Sequence, residues 1–436
     1  MPVLDVRRWF VDPPSGYPWR AALLALAAVW CLLVAGTWAI DAAWEWRTAQ
    51  EDARYARFPG TCYWSGDVRN YMRIAINGYT DYTPWLGPFH LTYLNDRSWW
   101  PLFPNVADLT IRLGGGMCSS RTVNGIAFLA LVPLFQALTG ERRWRRLAIL
   151  AVLPFGAWLY VGEADTFFLA LSAALVWICG RGARWPVGAG LAALASGALV
   201  GLSKPNGLAL IPALAVWAAG LAVQHIRAAP HTGRPRWRRA LENANPGWTP
   251  LLGALGIGLA NAWWLYQTSG YYPFYVLMMQ RALWWREFDP GDAASFARVF
   301  RVAVDYARAG LINMNELQRL IELAAIVFAL ALSAARLPPC WPGSRGCAVP
   351  LHWRVGILSM LILMFFSGQS HSIERYAASN IFVVLAWHRV VFGTPEQSGG
   401  WRLATFPGLF RWIWLGLGPV LWALSFLLLG WRPLGS

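Results

Sequence analysis

Apolar stretches long enough, or nearly long enough, to cross a bilayer recur from one end of this chain to the other. They run Ala21–Ile40, Val123–Leu138, Leu147–Val161, Ala164–Cys179, Pro186–Leu202 and Pro205–Val223. Beyond these lie Pro250–Tyr266, Leu317–Ala335, Val355–Ser367, Ala377–Val391 and Trp412–Leu429. A hydrocarbon core about 30 Å thick takes roughly 20 apolar helical residues, so the pattern predicts about eleven spans. With 57% hydrophobic and 14% charged residues, the 436-residue chain has too little polar surface to be covered by water alone. Twenty-nine tryptophans agree, because indole is satisfied where lipid meets water. The expected fold class is an all-α integral membrane protein, one polytopic helix bundle over residues 1–436. The first apolar stretch is too long for a cleavable signal and suits a signal anchor.

The net charge of +15 invites a nucleic-acid partner, but the arginines cluster in short turns between apolar spans, as topology signals do. Alternate connections carry Arg142, Arg143, Arg145 and Arg146; Arg181 and Arg184; and Arg227, Arg234, Arg236, Arg238 and Arg239. Arg336, Arg345 and Arg354 continue the series, and Arg7, Arg8 and Arg20 precede the first span. These turns are expected on the cytoplasmic side. The opposite side then receives two long external loops, 41–122 and 267–316, with short turns at Glu163, Lys204 and Arg375. No nucleic-acid partner is expected. Arginine-for-lysine usage points to a bacterial plasma membrane; a eukaryotic chain would sit in the endoplasmic reticulum membrane. Cys62 and Cys118 share the first external loop, where a disulfide and two separate thiols are both open. No His, Cys, Asp and Glu spacing suggests a metal.

Within the first external loop, Val68, Tyr71, Met72 and Ala75 sit at i, i+3, i+4 and i+7, one face of a short amphipathic helix expected to lie in the membrane interface. Gly78 is placed to stop it. Asp67 suits its N-cap, a role that leaves one carboxylate oxygen for chemistry. After Trp99-Trp100-Pro101-Leu102-Phe103-Pro104 a second interfacial helix follows over Asn105–Leu113, with Asp108 and Arg112 paired at i, i+4.

Asp67 through Gly78-Tyr79, with Arg73-Ile74-Ala75 between, followed by Trp100-Pro101-Leu102-Phe103-Pro104, resembles the signature of the PIG-V mannosyltransferases, which include the second mannosyltransferase of GPI-anchor assembly. Glu163 after Tyr160, the turn Lys204-Pro205-Asn206-Gly207, and Glu374-Arg375-Tyr376 are similar to later elements of that family, in the family's order. The sequence departs from it where Ser65-Gly66 separates Trp64 from Asp67, where Lys204 replaces an arginine, and over residues 81–98.

The resemblance implies a GT-C-type bundle with its active site at the external surface. It also implies a polyprenyl- or dolichyl-phosphate sugar donor, mannose in the family, a glycolipid or other external acceptor, and inversion at the anomeric carbon. No cofactor is implied, and a membrane partner subunit is compatible with it. Such a transfer needs a base for the acceptor hydroxyl, for which Asp67 is the candidate. It also needs fixed cations where the departing phosphate gathers charge: Lys204 and Arg375, with Arg73 as a third. Glu163 and Asp165 are candidates for acceptor binding or an alternative base, and equally for hydrated turn carboxylates. Asn206 belongs to the lysine turn. Trp100 can stack on a sugar or anchor the interface, and Tyr376 can hydrogen-bond a sugar or do the same. A transporter or flippase for a lipid-linked or small polar substrate is the alternative from another class, and a non-catalytic scaffold is a third.

Overall fold

The computed structural model describes residues 18–48, 66–79, 100–115, 119–160, 164–181, 186–228, 245–269, 314–335, 349–366, 373–392 and 406–431. Every regular element among them is helical. In chain order they are α1 (Pro18–Thr48), α2 (Gly66–Asn77), α3 (Leu102–Thr110), α4 (Ser119–Thr139), α5 (Trp144–Ala148) and α6 (Asp165–Cys179). Then come α7 (Pro186–Ser203), α8 (Leu210–Ala228), α9 (Asn245–Ser269) and α10 (Met314–Ala334). The last four are α11 (Leu351–Phe366), α12 (Ile373–Ser379), α13 (Ile381–Phe392) and α14 (Phe406–Trp431). By length and composition, two of the described helical stretches, Ser119–Thr139 and Pro205–Gln224, can cross a membrane; six more are apolar but shorter.

Two expected spans are broken, each for a local reason. Leu147–Val161 is not one helix. After α5 it continues as 3₁₀ turns at Ile149–Val152 and Gly156–Tyr160. Pro154 pushes Leu153 into an extended conformation (ψ 147°), and Phe155 follows at φ 59°, a left-handed value rare for an aromatic residue. Backbone oxygens left over are taken by side chains: the Tyr160 hydroxyl donates to the Ala151 carbonyl at 2.5 Å, and Thr166 Oγ1 to the Leu159 carbonyl at 2.6 Å. Ala377–Val391 is interrupted at Asn380. Its Oδ1 accepts the Phe382 N–H (2.9 Å) as the N-cap of α13, while its Nδ2 donates to the Gly356 carbonyl of α11 (3.3 Å).

The external helices behave partly as expected. Gly78 ends α2 at φ 72°, its N–H donating to the Ile74 carbonyl at 2.8 Å. Arg112 pairs with Asp108 at 2.9 Å. The stripe Val68, Met72 and Ala75, expected to face the membrane interface, is buried instead against Ala107 of α3. Leu109 and Leu113, by contrast, stand outward. Cys62, Cys118, Glu163 and nearly all of loop 267–316 lie outside the described residues.

α7 and α9 pack backbone against backbone. Ala193, Gly197 and Gly201 recur at four-residue intervals along α7 and meet Gly253 and Ile257 of α9, while Gly256 of α9 meets Leu194 and Ala198. A Cβ on Gly197 would run into the Gly253 carbonyl, and one on Gly256 into the Leu194 carbonyl. Backbone-to-backbone approach of this kind needs residues without side chains. The outer side of α9 presents Trp248, Leu251, Leu255, Leu259, Trp263 and Tyr266, all exposed. At 1.5 Å per residue that stripe is roughly 27 Å long. Gly256→Ala is expected to destabilise the fold by about 1–3 kcal/mol, read as a lowered melting temperature. Gly188→Ala, whose Cβ meets nothing within 4 Å, should leave it unchanged or slightly raised.

Candidate functional site: a buried carboxylate between two cations

Three turns far apart in sequence meet at Asp165, the first residue of α6. Its carboxylate is fully buried. Lys204 Nζ donates to Oδ1 at 2.5 Å and Arg375 Nε to Oδ2 at 2.7 Å. Both cations are themselves buried, and both lie by the ring of Tyr376, at 5.3 Å for Lys204 Nζ and 5.6 Å for Arg375 Cζ.

Local sequence explains each position. Lys204 precedes a proline and is therefore extended (φ −157°, ψ 149°), which carries it out of α7 before Pro205 opens the next 3₁₀ turn. Its carbonyl accepts the Gly207 N–H at 3.2 Å and closes that turn. Arg375 sits in α12, a seven-residue helix between Ile373 and the Asn380 break. Two positive groups converge on one buried carboxylate. Ammonium and guanidinium groups held side by side are the donors that can grip an anion through several contacts: phosphate, phosphodiester or carboxylate. With both oxygens engaged, Asp165 acts as an orienting group for the two cations; a free base would need an unoccupied oxygen.

The other expected site residues fall around this centre. Asn206 is half-buried in the lysine turn, and its Nδ2 has no hydrogen-bond partner among the described residues. Trp100 is buried, and its Nε1–H donates to Asn261 Oδ1 of α9 at 3.2 Å. It packs with Trp264 and with Leu202, two residues before Lys204, and Tyr79 meets Trp264 edge-on at 5.2 Å. An aromatic wall thus flanks the lysine turn.

Asp67 lies in the first turn of α2 and not at its cap, since the helix begins at Gly66. One turn further on, Tyr71 packs with Phe103, Val123 and Ala164, the residue next to Asp165. Phe103 also meets Phe167 of α6 at 5.8 Å. α2 is thereby docked on the N-terminal end of α6. Arg73 is half-buried on α2 and is not among the groups that hold the Asp165 carboxylate.

Two residues escaped sequence reasoning. Asn261 ties Trp100 to α9, and Glu322, also buried, lies on α10, which packs against α12. A polar or acidic residue inside an otherwise apolar run is the signal that marks both. Among the described residues no three His, Cys, Asp or Glu side chains cluster as a metal site would require.

Asp165→Asn leaves two buried cations facing each other, a change expected to cost about 3–5 kcal/mol. Lys204→Met leaves the neutral pair Asp165–Arg375 and should cost markedly less. Denaturant or thermal melts of the two variants beside wild type check that order. The chain matches no protein-family model, no curated protein and no solved structure.

Proposed function

We propose that this chain is a multi-pass membrane glycosyltransferase that moves a sugar, mannose by the resemblance, from a polyprenyl-phosphate donor to an acceptor at the external or lumenal surface. What carries the proposal is the meeting of Lys204 and Arg375 on Asp165. Two elements singled out separately by their resemblance to mannosyltransferase motifs contribute to one cationic centre, with the aromatic Trp100 turn beside it. The outward apolar stripe of α9 supports a lipid environment, because a contiguous apolar face of that length is unsuited to water.

In the transfer, the acceptor oxygen attacks the anomeric carbon and its proton passes to Asp67. The anomeric C–O bond breaks, and the electron pair leaves with the polyprenyl phosphate. Lys204 and Arg375 stabilise the charge gathering on that phosphate. Asp165 holds the two cations in place, and Tyr376 offers them a π-face. A transporter of a lipid-linked substrate is the second reading, favoured by one observation: ionised groups buried within a helix bundle line many substrate pathways.

The test is transfer of radiolabel from polyprenyl-phosphate mannose to lipid acceptors by purified protein. Asp67→Asn should lower the rate by about 10²–10⁴-fold with donor binding intact. Lys204→Met should lower it by roughly 10²–10³-fold and weaken donor binding as well. Label that crosses a vesicle membrane without a change of chemical form would establish the transporter instead.

A further inference from the structure

A second cluster of charge, sharing no member with the first, is built on the turn that joins α4 to α5. Gly140 ends α4 at φ 69°, and four arginines follow within five residues: Arg142, Arg143, Arg145 and Arg146. Glu141 organises them. Its Oε1 accepts the backbone N–H groups of Arg142 and Arg143, each at 3.0 Å, and its Oε2 accepts Nη1 of Arg146 at 3.2 Å. Both oxygens are therefore engaged, and the turn is held in one shape.

Arg146 is buried and lies 4.9 Å over the Phe392 ring of α13. Arg143, from the same turn, and the buried Arg411, from the start of α14, are close enough to act on its charge. Three positive groups are thus gathered around the turn that Glu141 organises. Arg143 Nη1 is enclosed and has no acceptor among the described residues. Nε2 of His388, a buried ring between Phe135 and Phe392 and within electrostatic reach of Arg146, has no hydrogen-bond partner of either kind among the described residues. A guanidinium N–H removed from water without an acceptor is costly, so the site calls for an anion bearing several oxygens.

At the rim, Trp144 is half-buried under Arg145, whose Cζ lies 5.3 Å from the ring. Indole beside arginine is the pairing suited to the headgroup level of a bilayer. We propose that residues 140–146, with Arg411, form a binding site for the phosphodiester of an anionic phospholipid in the leaflet opposite the Asp165 centre. This rests on the membrane reading but not on glycosyl transfer. Basic pockets between helix ends on the cytoplasmic side have the charge and depth for such headgroups.

Native mass spectrometry of the detergent-purified full chain with phosphatidylglycerol or phosphatidylcholine tests the site. Wild type should retain phosphatidylglycerol in preference. Arg143→Gln should reduce that retention roughly fivefold, as expected for one basic residue at an anionic surface. Arg143→Lys, which keeps the charge and loses the fork, should fall between, and it decides the matter where the glutamine variant fails to fold. Arg181→Gln, at the turn after α6, serves as control and should match wild type. Equal retention of both lipids by wild type, or undiminished retention by folded Arg143 variants, overturns the proposal. So does displacement of the lipid by millimolar inorganic phosphate, which would assign the site to a soluble anion. A chain that stays in aqueous solution without detergent would overturn the membrane reading itself.

Discussion

A carboxylate taken wholly out of water has to be compensated where it lies, and in this protein Asp165 is compensated from two directions at once. Lys204 arrives from the end of α7 and Arg375 from α12. Attraction at these distances exceeds the loss of hydration only when every partner is in register. The ion cluster therefore fixes relations that apolar contacts alone leave loose. α12 shows this best. It has seven residues, too few to be stable alone, and is held near its start by Arg375 and past its end by Asn380 on Gly356.

Packing around the cluster follows from the same need for close register. α7 leads into the lysine turn, and α7 lies against α9 through glycines that admit no side chain. α9 in turn carries Asn261, which receives the Trp100 indole. A shift of α7 along α9 would displace Lys204 relative to the aromatic wall, which α9 carries through Asn261 and Trp264. In a chain that otherwise uses arginine for its basic residues, Lys204 is the single lysine. Its compact ammonium meets Asp165 and the Tyr376 ring from one position, beside the guanidinium of Arg375, which meets the same two groups.

Much of this was legible from residues alone, because the informative residues have strong local rules. Gly78 stopping α2, the Asp108–Arg112 pair and the proline-set turn at Lys204 all follow from short-range sterics and spacing. The order of motifs linked Lys204 with Arg375, while Asp165 stood out only as a carboxylate in a turn between two apolar stretches; the ion pairs that join them span 39 and 210 residues. Local patterns could not foresee that Asp165 would have both oxygens occupied. Nor did hydropathy reveal the breaks at Pro154 and Asn380, since an apolar window counts side chains and ignores where backbone hydrogen bonds end. Val68, Met72 and Ala75 were recognised as one face, but a face does not name its partner, which proved to be Ala107.

The outer stripe of α9 has a further consequence. Its exposed residues from Trp248 to Tyr266 bracket the helix with aromatic rings at both ends, and aromatic rings resist displacement into either hydrocarbon or bulk water. Roughly 27 Å of apolar face is a little shorter than an average hydrocarbon core of about 30 Å. In a lipid setting the helix would be matched upright by a thinner bilayer and would compress a thicker one around it. Bilayer thickness would then act directly on the face opposite Gly197 and Gly201, coupling the lipid surroundings to the seat of Lys204 through hydrophobic matching.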